Sequence, residues 1–329
     1  GEELISRARG FSASGLLNNL FGGPSVPITS SSGAKPPQQA EIPKKKITAV
    51  LTIPQNIKHK CNTGAQVNAI AWSNDNLYLA IGCSDKSAKV YNSASMEELN
   101  QCQLSNVLND AVMNVVFSPN SHMLALSCAD GLCHVCSVPN GKLKHTFSGH
   151  MNKVCAVDFN SDNTRLVTGS HDRTMRVYDI AKGDLLKTFS NLNSSVNDLE
   201  ISDYSDILVS AHYDGSVRFH VIRAQKHIQN VKLFISNPTT SVNISKDCQY
   251  VLCNSGQELK IVDMRTFETL KTITYEQQNY NKMYFNKATF SPTADYIAAG
   301  SSNGDVLVWD VKQSKVVQTL SYHKYVFLL

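Results

Sequence analysis

No stretch of this chain is apolar for the roughly 18 residues that a membrane-spanning helix requires. The first residues carry no basic-then-apolar secretory leader. There is no initiating Met, so Gly1 reads as the start of a fragment, a processed chain or a partial gene model. A disulfide framework is missing too. The nine cysteines are scattered and odd in number, which fits free thiols in a reducing compartment. Charge excess is small: 31 Lys and Arg against 27 Asp and Glu leave +4, which makes no case for a nucleic-acid partner. The short run Lys44 to Lys46 reads as solvated linker. No phosphate-binding glycine loop and no metal-ligand spacing occurs. Cys133 and Cys136 flank His134, but positions three apart on a strand face opposite sides and cannot hold one metal ion. Neither an enzyme nor a cofactor is therefore expected.

What is present divides in two. Residues 1–46 mix Pro24, Pro27, Pro36, Pro37 and Pro43 with Ser30 to Ser32, the composition of a disordered linker. Within it lies an apolar island, SGLLNNLFG, from Ser14 to Gly22. Leu16, Leu17, Leu20 and Phe21 fall on one face of a helix, with Asn18 and Asn19 opposite and Arg7 and Arg9 upstream. This predicts a short amphipathic helix for a membrane surface or a partner groove. A chance cluster or a helix packed on the rest of the chain would leave the same pattern, and two turns are marginal alone in water.

From Ile47 onward, short alternating segments recur. The fullest copy is Ser148 to Asp179, SGHMNKVCAVDFNSDNTRLVTGSHDRTMRVYD. It opens on Gly149-His150 and closes on Tyr178-Asp179, with three strand patterns and a tight turn at His171-Asp172 between them. That is the signature of one WD-repeat propeller blade, with Tyr178 where the repeat usually carries Trp. The positions matching Tyr178 are Tyr91, Cys136, His220, Val262 and Trp309, spaced 45, 42, 42, 42 and 47 residues apart through the series. The matching turn residues are Asp85, Asp130, Asp172, Asp214, Gly256 and Asn303. Inner strands are predicted at Val67 to Trp72, Val112 to Phe117, Val154 to Phe159, Val196 to Ile201, Ser241 to Ile244 and Ala288 to Phe290. The fold expected is all-β, a WD-repeat propeller of the seven-bladed type over residues 47–329, with six full blades and a partial seventh. The strand pattern Ile47 to Ile53 would close the ring as an outer strand, and Tyr325 to Leu329 would begin the seventh blade.

In the repeat pattern, an Asp of the b–c turn accepts from a His of the preceding loop. That His meets a hydroxyl on strand b, and the hydroxyl meets the aromatic of strand c. Here the four would be Asp172, His150, Ser170 and Tyr178. A catalytic Ser/His/Asp set is the rival reading, but the repeat spacing accounts for all three residues and places them in a packed sheet. Blade five lacks both its turn Asp and its aromatic, so its loops should be less firmly tied.

The run SGHMNKVCAVDF…GSHDRTMRVYD, the weak fifth repeat ending KIVDMRTFETLKTI, and FSPTADYIAAGSSNGDVLVWDV together resemble the propeller of the autophagy-related protein 16-like family. SGLLNNLFG before a Pro/Ser linker is similar to the apolar patch that precedes the propeller there. The resemblance implies a non-enzymatic scaffold. In that family, N-terminal segments absent from this chain bind the autophagy-related 5–12 conjugate and dimerise through a coiled coil. The assembly directs lipid conjugation of ubiquitin-like autophagy proteins onto membranes. This chain would keep the regulatory half: protein docking by the propeller, with peripheral contact to autophagosome-precursor or endolysosomal membranes from the cytoplasmic side. Propellers commonly bind on the face of the d–a and b–c loops, which here should display Lys153, His171, Arg173, His212 and Tyr213. A WD-repeat adaptor of another pathway, such as a ligase substrate receptor or a coat subunit, is the other reading.

Overall fold

The computed structural model describes residues 63–99, 107–224, 226–256, 258–274, 287–301 and 304–321. These form 23 strands and no helix. The amphipathic segment 14–22, the strand patterns at 47–53 and 325–329, and Asn303 lie outside the described residues.

The strands group into six antiparallel sheets, each a meander in chain order. All six predicted inner strands form with the bounds expected from the sequence. Five sheets have four strands and the first has three. In blade one the chain after strand c turns back along it before residue 100, with a bridge from Tyr91 to Glu98 and amide bonds from Asn92 to Glu97 and from Leu99 to Val90, but forms no fourth strand among the described residues. Six blades are thus present among the described residues. The partial seventh falls outside them.

Period-two burial explains how the blades stack. Successive strand residues point to opposite faces, and both faces of an inner blade are covered. Val167, Met175, Val177 and Phe189 of blade three pack against Val196, Leu199, Ile201 and Leu208 of blade four. The alternate residues Phe159, Leu166 and Tyr178 turn the other way, onto Met123, Ala125, Val135 and Phe147 of blade two. Cys133 and Cys136 obey the same rule and sit in different core clusters. The stacking is close where strand b meets the next inner strand. A Cβ on Gly169 would lie 2.6 Å from a methyl of Val196, and one on Gly82 would lie 2.5 Å from a methyl of Val112.

Inner strands of neighbouring blades belong to separate sheets, so their backbones need another link. Side chains supply it. Asp158 Oδ2 accepts from the Ile201 amide at 2.8 Å, Glu200 Oε2 from Ile244 at 2.7 Å, and Asn243 Oδ1 from Phe290 at 2.8 Å. One step earlier on the strands, Asp198 accepts from the Val242 amide and Ser241 from the Ala288 amide. Lys287 adds an ion pair to Asp198 at 3.1 Å. Where Ala71 and Val116 occupy the first of these positions, no such acceptor exists.

Burial dominates the ionisation of two of these acids. It raises Asp158 to about 7, with Asp203 and Asp198 adding repulsion against two amide bonds that favour the carboxylate. It also raises Glu200 well above the ordinary carboxylate range. A raised folded pKa means that the native state binds the extra proton. The stability this proton contributes is present at low pH and is lost as pH rises from about 4 to about 7. Asp158→Asn removes that proton exchange. In urea titrations, the stability of the unaltered chain relative to Asp158→Asn should decline between pH 5 and pH 8. A difference that stays constant with pH would place the Asp158 pKa near its ordinary value.

Candidate docking face on blades three and four

Among the described residues, the b–c turns and d–a connections lie at one end of the strands. In blade three they are held by His150. Its Nδ1 lies 2.8 Å from Asp172 Oδ2 and its Nε2 lies 2.8 Å from Thr168 Oγ1. Both His150 and Asp172 side chains are more than nine-tenths buried. Burial lowers the imidazole pKa, and Asp172 only partly offsets this. The ring is therefore neutral at pH 7, with Nδ1–H donating to Asp172 and Nε2 accepting from Thr168. Its contribution to stability is held above the ordinary histidine value of 6.5 and lost as pH falls.

The hydroxyl that His150 meets was expected to be Ser170 and is Thr168. Both point to the same face of strand b, two residues apart. Ser170 ends the strand, where its hydroxyl is used by the loop backbone: it donates to the carbonyls of Asn152 and Lys153 and accepts from the Asp172 amide. Tyr178 OH points at the Ser148 carbonyl at 3.5 Å, and its ring packs on Phe147. Asp172, His150 and Thr168 share the connectivity of a hydrolytic triad, but Thr168 is fully buried and no substrate reaches its oxygen.

A second tether was not read from the sequence. Arg176 on strand c donates to the Gly149 carbonyl at 2.6 Å. One blade on, Arg218 reaches the Leu192 carbonyl and pairs with Asp214 at 3.0 Å. In blade five, Lys260 donates to the Leu233 carbonyl at 2.6 Å and lies 4.7 Å over the Phe234 ring. A basic residue two positions before the strand-c aromatic site recurs at 42-residue spacing, and that periodicity was the available signal.

Turns and loops are also bonded to one another across the face. The His171 amide donates to the Lys153 carbonyl, Ser195 Oγ donates to the His171 carbonyl, and the Tyr213 amide donates to the Ser195 carbonyl. This relay brings Lys153, His171 and Tyr213 onto one continuous surface. Tyr213 is 64% exposed and Arg173 is exposed. Arg173 has φ 68°, a left-handed turn position filled by glycine in blades two and four.

His212 was expected on this surface and is not there. It is fully buried, with Nε2 2.9 Å from Ser210 Oγ, and burial takes its pKa down to about 3. It is the last residue of strand b, Ile207–His212, in a strand buried on both faces. Met151 and Ile235, both over 90% exposed, flank the face and were missed because single apolar loop residues carry no periodic signal.

Five segments of the chain, residues 54–92, 102–137, 141–179, 183–220 and 281–310, match the family described as WD domain, G-beta repeat. The chain belongs to the WD-repeat family.

The WD-repeat region is homologous to autophagy-related proteins. Protein tipD of Dictyostelium discoideum is 34% identical over 262 residues, 78% of this chain and 42% of that protein. Autophagy-related protein 16 of Arabidopsis thaliana is 30% identical over 248 residues, 74% of this chain and 47% of that protein. Autophagic-related protein 16.2 of Caenorhabditis elegans is 27% identical over 270 residues, 80% and 49% respectively. The chain spans less than half the length of these curated relatives.

Thr168→Val keeps the shape of the side chain and leaves His150 Nε2 buried without its partner. The expected loss of stability is about 1–3 kcal/mol in urea unfolding. An unchanged midpoint would show that another group satisfies the imidazole.

Proposed function

We propose that this chain is the docking half of an autophagy scaffold, whose WD-repeat propeller, taken as residues 47–329, recruits partner proteins to the lipid-conjugation machinery at forming autophagosome or endolysosomal membranes. The observation that carries this reading is the bonded relay from Lys153 through His171 and Ser195 to Tyr213. It holds a cation, an imidazole and an exposed phenol on one rigid surface. Preorganised groups lose little freedom on binding, and Tyr and Arg are favoured anchors. Homology to autophagy-related 16 proteins supports the choice of pathway. The work is recognition, with no bond made or broken.

The residues that would carry it are Lys153, His171, Arg173 and Tyr213. Arg173→Gly suits a test because glycine accepts the left-handed turn while the guanidinium is lost. With the full chain as bait in cell lysate, autophagy or endolysosomal proteins should be captured and then lost in Arg173→Gly with Tyr213→Ala. Capture that both substitutions leave intact would move the docking surface elsewhere. Capture confined to ubiquitin-ligase or coat components would favour an adaptor of another pathway.

Membrane contact would come from Leu16, Leu17, Leu20 and Phe21. Leu17→Asp with Phe21→Asp should abolish flotation of the chain with liposomes, and undiminished flotation would reject this part of the reading.

A further inference from the structure

A column of nitrogen-bearing side chains runs along the face that blade four turns toward blade three. His212 ends strand b, and Arg218 and His220 stand on strand c, Ser216–Val221. All three are buried. Each keeps one nitrogen without a hydrogen-bond partner: His212 Nδ1, Arg218 Nε and His220 Nδ1. His220 Nε2 lies 3.3 Å from Nδ1 of His227, an exposed residue of the outer strand Lys226–Lys232. Its ring packs on Phe189 of blade three, with centroids 4.9 Å apart. A single N–H between the two imidazoles satisfies that contact, and a proton on both rings leaves nothing to accept it. His150 of blade three is also buried, but both of its ring nitrogens are bonded. The orphaned nitrogens set the blade-four column apart from that tether.

The surroundings decide what a proton does here. Blade three presents apolar Val167, Met175, Val177 and Phe189 to the column. Its cations on this side are Arg165, bonded to the Ile222 carbonyl, and Lys187, level with Val177. His171 stands beyond the end of strand b, beside Lys153. Lys232 of the outer strand is bonded to the Asp214 carbonyl. The carboxylates are already engaged. Asp214 pairs with Arg218 at 3.0 Å and accepts from the Ser216 amide and hydroxyl. At the other end of the blades Asp162 and Asp206 pair with Arg223, Asp179 caps its own c–d turn, and Asp184 is exposed in that turn. Asp158, on the inner strand, accepts from the Ile201 amide. A proton on His212 or His220 therefore meets Arg218 and no open acceptor. Burial takes His220 down to about 3, with His227, His212 and Arg218 adding repulsion. Burial does the same to His212, where Asp214 and the Ser194 backbone offset it only in part. Both rings are neutral at pH 7. The stability they contribute is present above the ordinary histidine value of 6.5 and is lost as pH falls toward 3.

We propose that blade four carries an acid-sensitive latch, in which proton uptake by His212 and His220 beside Arg218 parts strands c and d of blade four from blade three. Two buried imidazoles with orphaned nitrogens and a guanidinium between them form a contact that holds only while the rings are neutral. The inner strands stay together, because Asp158 works in the opposite sense: its extra proton favours the closed contact as pH falls. The movable part is therefore the outer half of the seam, where His220 meets His227 and Phe189. His212 carries the change to the surface. Its carbonyl accepts from the Gly215 and Thr239 amides, and the next residue, Tyr213, donates to the Ser195 carbonyl. Opening frees Tyr213 from that bond. Loss of docking on acidification rests on the role proposed for Tyr213; the opening itself does not.

Residue-resolved hydrogen exchange of the full chain, from about pH 7.5 to about pH 5 and corrected for the intrinsic pH dependence of exchange, reads the opening directly. The reporters are the amides of Tyr213, Gly215 and Thr239, and the controls are those of Ile201 and Phe290 on inner strands. Protection at the reporters should fall about tenfold or more while the controls hold, with more than one proton taken up per opening. His212→Gln with His220→Phe removes both titrations and should flatten the profile. Tyr213→Ala should leave it unchanged, so failure of the latch and failure of the docking role are separate results. In the unaltered chain, pH-independent protection, uptake of less than one proton, or equal loss at the controls would overturn the proposal, whatever the folding of the variant. So would a pH response that survives in the double variant, which would assign it to His150 or His171.

Discussion

The propeller depends on side chains that cross from one inner strand to the next. Each blade is a complete sheet with its own ladder, and nothing in a ladder fixes one sheet against its neighbour. Hydrophobic contact between blades is strong but tolerant of sliding. Asp158, Glu200 and Asn243, each accepting the amide of the following blade, supply the directional part. In blades three to five the link is an acceptor of the right length at one position of the inner strand. Two of the three acceptors are acids whose pKa burial raises, so desolvation of a carboxyl group is the cost of that register.

The same logic recurs at the end of the blades that carries the b–c turns, with a different chemistry. There the turns must be tied to the strands, and blade three uses a neutral imidazole between an acid and a hydroxyl. Blade four has Leu192 in the corresponding loop and compensates with Arg218, which holds both the loop carbonyl and the turn Asp214. Blade five has lost its turn Asp yet keeps Lys260 on the Leu233 carbonyl. The weak repeat is therefore not an untied one. Loops held this way can present Tyr213 and Arg173 at small entropic cost, which is what a recognition surface needs.

The candidate docking face is built from turns bonded to turns, and it exposes single side chains, Tyr213 and Arg173 among them. It lies within the region homologous to autophagy-related 16 proteins.

Repeat spacing, inner strands and the aromatic position of each blade were readable from the chain, because period-two burial and a 42-residue recurrence are local and additive. The pairing of His150 with Asp172 was readable for the same reason. What the sequence could not decide was which of Thr168 and Ser170 completes the tether, since both face the same way and only the end of the strand separates their partners. It also could not place His212, whose burial is set by a neighbouring blade. The relay from Lys153 to Tyr213 depends on distances between segments far apart in the chain. Such distances exist only after the blades have packed, so only the tertiary structure could set them.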